Sequence, residues 1–283
     1  FKAFLAWSSP SHIEGEQNTL YGSSNLEFVP PFPTPEETTQ QASPHFHRIL
    51  QKSRWDMGMK THIIGDGVAA MMLASMADRI PQHEISILHP EGAPMARDHM
   101  LGFWNTEGLE FAVDCSRASW SKWSIVTNTK TSVMHSEKHA YHIMHKADFV
   151  QNARNKAEEH GVTFVDQQAS RANNEALTFD SRPPRASPNA MLQHFVGQEI
   201  EVDKAVFDAS TAILMDFRVD QSHGMHFIYL LPYSPTQALV ESTLFSTDVL
   251  DREYYTNTII DYLHDHYGAS IQRIIHEEQG VIP

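Results

Sequence analysis

The fold of this chain is decided by the stretch Thr61-His62-Ile63-Ile64-Gly65-Asp66-Gly67-Val68-Ala69-Ala70. A short apolar strand ends in a glycine turn, and small apolar residues then continue to Ala77 as a helix. The two glycines and Ala70 fit the fingerprint G-x-G-x-x-G/A, in which the backbone turns tightly and approaches a pyrophosphate at the helix N-terminus. The pattern predicts that Gly65, Gly67 and Ala70 bind a dinucleotide; a tight structural turn is the alternative.

A second strand, Ile85 to Leu88, completes a βαβ unit. In such units the second strand ends in an acidic residue that binds the ribose hydroxyls. His89 occupies this place, and Glu91 lies two residues later. We expect Glu91 to reach back to the ribose; the alternative is a ribose that is held less conventionally.

Later segments follow the same alternation of helix and strand. Asp148 is expected to cap a helix that ends at Gly161, before a strand over 162–165. Its buried positions recur every four residues, at Phe149, Ala153 and Ala157.

Beyond Val206 the pattern becomes β, and it predicts a three-stranded meander over 213–219, 227–231 and 238–245. The last helix begins at Asp251 and ends at Gly268. Its predicted buried face consists of Tyr255, Ile259, Tyr262 and Leu263.

The composition excludes several classes of protein. Asp and Glu number 35 against 21 Lys and Arg, for a net charge of -14, so nucleic acid is not an expected partner. The one cysteine, Cys115, cannot form an internal disulfide, which favours a reducing compartment. The uncharged apolar run from Val68 to Ala77 is far shorter than the roughly 20 residues that cross a bilayer. Phe1 to Trp7 lacks the features of an intact signal peptide, so we expect a cytoplasmic protein.

The first 58 residues carry several prolines and no helical or strand period, which indicates a poorly ordered N-terminal segment. The change in character at Met59 marks the expected start of the folded part.

Six phrases of the sequence resemble one known family. They are Phe179-Asp180-Ser181-Arg182-Pro183, Gln193-His194-Phe195-Val196-Gly197, Met215-Asp216-Phe217-Arg218-Val219-Asp220-Gln221, Tyr229-Leu230-Leu231-Pro232-Tyr233-Ser234, Leu239-Val240-Glu241-Ser242-Thr243 and Glu277-Glu278-Gln279-Gly280-Val281-Ile282-Pro283. They occur in the family's order, and from about Met59 to Pro283 the chain resembles the flavin-dependent lycopene cyclases.

This resemblance implies an α/β fold with an α+β insertion. A Rossmann-like FAD-binding βαβ domain of the flavoprotein hydroxylase type would take residues 59–113 and 147–183. An antiparallel β substrate-binding domain would take 114–146 and 184–270, and 271–283 would return to the FAD-binding domain. Because the family continues with a Gly-rich segment that contacts FAD, this return is expected to be truncated at Pro283.

The implied activity is the non-redox cyclisation of the ends of linear lycopene to β-ionone rings, by an enzyme of the intramolecular lyase or isomerase class. A proton is added to a terminal double bond, the neighbouring double bond attacks the resulting carbocation, and a proton is then lost. Such chemistry requires a carboxyl group in an apolar pocket, because burial raises the pKa of a carboxyl and keeps it partly protonated.

Glu241 is the expected carboxyl. Strand alternation places it on one face with Leu239, Thr243 and Phe245. The residues alone leave Glu241 either catalytic or solvent-facing, and the resemblance favours catalysis. Aromatic side chains of the meander, which can stabilise a cation or simply pack in the core, are Phe217, Phe227, Tyr229, Tyr233 and Phe245.

The implied cofactor is reduced FAD, acting through its electron-rich ring near the cation. Asp180 and Arg182 match the family's strand-end motif beside the nucleotide, with an internal Asp–Arg salt bridge as the alternative. We expect no metal. The histidines at 135, 139, 142 and 145 would line one face of a helix, but the segment fits a strand equally well.

Lycopene, or a related linear carotenoid, is almost insoluble in water, so peripheral membrane contact is expected. Two other functions remain open from the sequence. One is an FAD-dependent monooxygenase or oxidoreductase, which would not need Glu241. The other is a truncated, non-catalytic flavin- or carotenoid-binding protein.

Overall fold

The computed structural model describes residues 58–89, 98–166, 176–182 and 190–282. Glu91, Pro283 and nearly all of the N-terminal segment lie outside the described residues. The strands are β1 (Met59–Ile64), β2 (His83–His89), β3 (Met100–Trp104), β4 (Ala118–Trp120), β5 (Lys122–Val126), β6 (Thr131–His135), β7 (Tyr141–His145), β8 (Thr163–Asp166), β9 (Leu177–Asp180), β10 (Leu192–Val202), β11 (Thr211–Asp216), β12 (Met225–Pro232), β13 (Gln237–Ser246) and β14 (Ile271–Ile282). The α-helices are α1 (Val68–Ser75), α2 (Glu110–Asp114), α3 (Lys146–Glu159) and α4 (Arg252–Tyr267).

The predicted βαβ unit is confirmed as the centre of a four-stranded sheet in the order β8-β2-β1-β9, with every pairing parallel. Helices α1 and α3 pack in the same apolar cluster as β1 and β2. Their buried faces are rich in alanine, which lets the two helices approach each other closely. Ala74, Ala153 and Ala157 are all fully buried there.

Helix α3 begins three residues earlier than predicted, because its N-cap is His145 and not Asp148. The backbone N–H of Ala147 donates to Oδ1 of Asp98 at 3.3 Å, so a carboxylate from outside the helix caps its first turn. Asp148 lies inside that turn, where its charge is still favourable. The three predicted buried positions of this helix are confirmed.

The largest sheet has seven strands in the order β14-β10-β13-β12-β11-β5-β6. It contains the predicted meander, β11 to β13, although β11 ends at Asp216 and not at Val219. Helix α4 covers one face, with Ile259 and Leu263 packed on Ile200 and Val240. The predicted buried face of α4 and its left-handed cap at Gly268, with φ of +57°, are confirmed.

Residues 271–283 are expected from the resemblance in the FAD-binding domain, but the structure places β14 in the large sheet, paired antiparallel with β10. Two hydrogen bonds hold the start of β14 beside the end of β10. The N–H of Asp203 donates to the carbonyl of Ser270 at 3.1 Å, and the N–H of Ser270 donates to Oδ1 of Asp203 at 2.9 Å.

A third sheet is small and antiparallel, in the order β3-β7-β4. Its apolar side chains form one buried cluster with side chains on the other face of the large sheet. Met100, Ile143 and Trp120 pack there with Tyr229 and Leu239. Because β7 is a strand, the four histidines between 135 and 145 do not share a helical face. The described residues contain no group of His, Cys, Asp and Glu that could hold a metal ion.

Candidate functional site

The glycine turn after β1 is closed by contacts with β2 and β9. The N–H of Gly65 donates to the carbonyl of Leu88 at 2.9 Å, and Oγ of Ser181 donates to the carbonyl of Ile64 at 2.8 Å. Gly65 has a φ of +97°, and a Cβ there would lie 2.7 Å from Oγ of Ser181. The first glycine is therefore required by the fold itself.

Gly67 differs from Gly65 because none of the described residues requires it to be glycine. Its φ is -73°, and a Cβ would meet no heavy atom within 4 Å in the part of the chain that the structure describes. It is the N-cap of α1, and no side chain among residues 58–89, 98–166, 176–182 and 190–282 caps that helix. The first N–H groups of a helix have no acceptor within it, so they and the helix dipole favour an anion at this point.

Ala70 is buried against the sheet, as expected for the third position of the fingerprint. The turn therefore offers open space, backbone donors and a close helix–strand contact. These features fit a pyrophosphate group.

The end of β2 makes a side-chain contact with the glycine turn that the sequence did not reveal. Nδ1 of His89 lies 3.0 Å from Oδ2 of Asp66, the residue between the two glycines. Both side chains are 39% exposed. His89, in the place of the usual ribose-binding acid, is thus next to a carboxylate from the turn itself. The fingerprint treats Asp66 as a variable position, so only the fold could connect the two.

Asp180 and Arg182 form the internal salt bridge that was the alternative to a flavin role. Arg182 donates to Asp180 through Nε at 2.8 Å and through Nη2 at 2.6 Å. Hydrogen bonds from the Arg182 side chain lower the pKa of Asp180. Asp180 is paired in register with Ile64, so the ion pair lies beside the glycine turn. The salt bridge and a position next to a bound nucleotide are compatible.

Glu241 lies in the middle of β13 and is 1% exposed. The solvent-facing alternative is therefore wrong. Oγ1 of Thr243 donates to Oε1 of Glu241 at 2.8 Å. Burial is the main cause that raises the pKa of the nearby Tyr141 phenol. A buried carboxyl group of the large sheet thus lies near the phenol of Tyr141 in the small sheet.

The aromatic side chains expected near Glu241 gather in one cluster. Phe227 is at its centre, with ring centroids 5.6 Å from Phe217, 5.2 Å from Tyr229 and 6.1 Å from Phe245. Tyr229 is also the direct cross-strand partner of Glu241. Aromatic ring faces are therefore available on the same side of the sheet as the carboxyl.

Another buried carboxyl, Glu278 of β14, was not singled out from the sequence. It is 4% exposed, and its Oε2 accepts a hydrogen bond of 2.6 Å from the N–H of Met100. Alternation in β14 was the available signal, since of two successive glutamates one must face each side. Glu277 faces the other side and pairs with Arg252.

The comparisons with known proteins concern most of the folded part. The family described as lycopene cyclase protein matches residues 61–283. A curated lycopene beta-cyclase of Pantoea ananas is 39% identical over 93 residues, which are 32% of this chain and 24% of that protein. The matched segment thus spans about a quarter of the length of this curated relative.

Two solved structures share the fold. A flavin-dependent halogenase of Xanthomonas campestris has a TM-score of 0.55 at 9% identity, covering 80% of this chain and 62% of that one. A geranylgeranyl bacteriochlorophyll reductase-like protein of Thermoplasma acidophilum has a TM-score of 0.54 at 13% identity, covering 79% and 66%. The predicted fold class, a Rossmann-like parallel unit joined to antiparallel β structure, is confirmed. Among the described residues, no helix is long and apolar enough to span a membrane.

Proposed function

The chain belongs to the lycopene cyclase family, and on this premise we propose that it closes the ends of linear lycopene into β-ionone rings. The reaction is an isomerisation without net redox change, of the intramolecular lyase or isomerase class. The observation that carries the proposal is Glu241, a carboxyl that is 1% exposed and lies among aromatic side chains.

The proposed role of Glu241 is proton donation to a terminal double bond of the substrate. The electron pair of that bond forms the new C–H bond, and a tertiary carbocation remains. The neighbouring double bond supplies the electrons of the ring bond, and loss of a proton restores neutrality. Thr243 orients the carboxyl through its hydrogen bond, and the rings of Tyr229 and Phe227 supply electron-rich faces to the cation.

The proposed cofactor is FAD in its reduced form, held at the glycine turn. The backbone at Gly65 and Gly67 and the close packing at Ala70 would hold the pyrophosphate, with Asp180 and Arg182 beside it. When bound, the reduced flavin supplies an electron-rich ring that stabilises a nearby positive charge. Glu91 remains the proposed ribose ligand.

We also propose the two-domain division at the predicted boundaries for residues 59–270, with the parallel sheet in the FAD-binding domain and the large sheet in the substrate domain. Because the proposed substrate is held in membranes, the protein would work at a membrane surface.

The test is expression of the full-length protein in bacteria that accumulate lycopene, followed by chromatography of the pigments. We expect β-carotene from the wild type, and unchanged lycopene with retained flavin from Glu241→Gln. Glu201→Gln is the matched control, because Glu201 lies on neighbouring β10 in a partly exposed ion pair with Arg273.

Unchanged lycopene from the wild type, with oxygen uptake driven by a reduced nicotinamide, would instead support the oxidoreductase alternative. Normal ring closure by Glu241→Gln would remove Glu241 from the mechanism.

A further inference from the structure

Two buried carboxyl groups meet over a glycine in the middle of the large sheet. Gly197 of β10 is paired in register with Glu241 of β13 on one side and with Glu278 of β14 on the other. Oε2 of Glu241 and Oε1 of Glu278 each lie 3.2 Å from the position that a Cβ of Gly197 would take. The two oxygens are therefore no further apart than twice that distance.

The glycine is the reason for this approach. Residues paired directly across neighbouring strands point to the same face, and strands are about 4.8 Å apart. A side chain at position 197 would stand between the two glutamates. Because Gly197 has none, both carboxyls extend into the space above it.

One oxygen of each carboxyl accepts a hydrogen bond from a neighbouring element, and the other oxygen lies towards Gly197. Oε1 of Glu241 accepts the hydrogen bond of Thr243, and Oε2 of Glu278 accepts that of the Met100 N–H. The remaining oxygens, Oε2 of Glu241 and Oε1 of Glu278, are the two that lie nearest to the glycine.

Other titratable groups also face this place from the elements packed around it. Nδ1 of His99, next to β3, lies 3.5 Å from Oε2 of Glu278. Among the described residues, further groups on this side include Tyr141 of β7, Tyr229 of β12, His276 of β14 and the ion pair between Arg117 and Glu199 of β10. His145 of β7 contacts both His276 and Arg117. Arg117 is engaged by both oxygens of Glu199.

Resting on the proposed cyclase function, we propose that Glu278 is a positioning residue that shares one proton with Glu241 and keeps Glu241 protonated for donation to the substrate. Two negative charges this close repel strongly in a buried site, so the pair retains one proton where a single carboxyl would lose it.

The two carboxyls both supply the proton that the reaction consumes and take up the proton that it releases. The O–H bond of Glu241 breaks as the C–H bond forms on the substrate, which leaves both carboxyls ionised. That state has a high affinity for a proton, and the proton lost from the new ring restores the starting form. No electron enters or leaves the protein.

The experiment compares Glu278→Gln with Glu277→Gln in the full-length, flavin-loaded protein. Both substitutions keep side-chain size and remove one carboxyl from β14, but Glu277 points to the opposite face and pairs with Arg252. Turnover of lycopene in detergent-dispersed form is measured against pH. In Glu278→Gln we expect turnover to decline at a pH about one unit or more lower than in the wild type. At a fixed alkaline pH this is a roughly tenfold loss of turnover. In Glu277→Gln the pH at which turnover declines should equal that of the wild type.

Gly197→Ala is the second variant, because its methyl group would lie 3.1 Å from Cγ of Glu278 and 3.2 Å from Oε2 of Glu241. It should shift the profile in the same direction while both carboxyls remain. Thermal unfolding of each variant identifies any that do not fold, and a folded Glu278→Gln with the wild-type profile would overturn the proposal.

Infrared spectroscopy tests the shared proton independently of whether the protein forms rings. A band of a protonated carboxyl should persist in the wild type above neutral pH and disappear at lower pH in Glu278→Gln than in Glu277→Gln. If the wild type shows this behaviour but forms no rings, the shared proton stands and the cyclase function fails. If the band titrates identically in both variants, the shared proton is disproved even where ring closure occurs.

Discussion

Arg218 holds the buried carboxylate of Asp216 with two hydrogen bonds, from Nε to Oδ1 at 2.9 Å and from Nη2 to Oδ2 at 2.6 Å. The hydroxyl of Tyr262 donates to Oδ2 as well, at 2.8 Å. Burial raises the pKa of Asp216, but the hydrogen bonds from Arg218 and Tyr262 outweigh it and lower the pKa overall. The same Asp-x-Arg arrangement occurs at the surface in Asp180 and Arg182, so one geometry exists in two environments.

Replacing the arginine should therefore have different effects at the two places. Arg218→Ala leaves a carboxylate that is 0% exposed without its cation and should cost about 3 kcal/mol of the free energy of unfolding. Arg182→Ala acts on a pair that is nearly half exposed and should cost less than about 1 kcal/mol. Urea denaturation measures both. Equal losses would show that burial does not determine the strength of this ion pair.

A second prediction concerns the hydrogen bond of 2.5 Å between the hydroxyl of Tyr255 in α4 and Nδ1 of His194 in β10. His194 is 1% exposed, so Tyr255→Phe would leave a buried ring nitrogen without this partner. We expect a loss of about 1–3 kcal/mol in the free energy of unfolding. Tyr254→Phe is the control, because among the described residues its hydroxyl makes longer contacts, of 3.4 Å to Asp220 and 3.5 Å to His226. A larger loss in the control would contradict the assignment.

Stability should also depend on pH through the buried histidines. Burial lowers the pKa of His142, His194 and His226 below the ordinary value of 6.5. Below that value the unfolded chain binds more protons than the folded one, so the free energy of unfolding should fall as the pH decreases. Each histidine contributes at most about 1.4 kcal/mol per pH unit in the interval between its two pKa values.

The measurement is urea denaturation between about pH 8 and about pH 5. The exposed His264 provides the control, and His264→Gln should leave the pH dependence unchanged. Constant stability across this range would mean that the three histidines have the same pKa in the folded and the unfolded chain.

The two glycines of the turn should respond differently to alanine. Gly65→Ala places a side chain at a φ of +97° and against Ser181, and should cost about 1–3 kcal/mol of stability. Gly67→Ala meets open space and should change stability by less than about 0.5 kcal/mol. Thermal or urea unfolding distinguishes the two.

If the turn binds the flavin pyrophosphate, Gly67→Ala should nevertheless weaken FAD binding by about tenfold or more, since the methyl group occupies the space of the ligand. Titration of the apoprotein with FAD measures this. Unchanged affinity in a folded Gly67→Ala would place the pyrophosphate elsewhere.

Much of the architecture could be predicted because its signals are local. The glycine turn with its flanking strand and helix is contained in ten residues, and the buried face of α4 follows from the spacing of Tyr255, Ile259 and Tyr262. The alternation in β13 placed Glu241 correctly with Leu239 and Thr243. In these segments the period of the backbone decides which side chains share a face.

The site itself depended on contacts between distant parts of the chain. Asp98 caps α3 in place of Asp148, and Asp66 meets His89 at the end of the neighbouring strand. No local period records such contacts.

Glu241 and Glu278 show most clearly the difference between what local sequence specifies and what contacts between distant segments decide. The sequence by itself determined that Glu241 lies on an apolar strand face, because alternation is a property of a single strand. Only the tertiary structure decided that Glu278 joins it, because the order β14-β10-β13 and the register at Gly197 bring together residues from separate segments. Strand order and register are set by packing and hydrogen bonding across the whole sheet, which no single segment specifies.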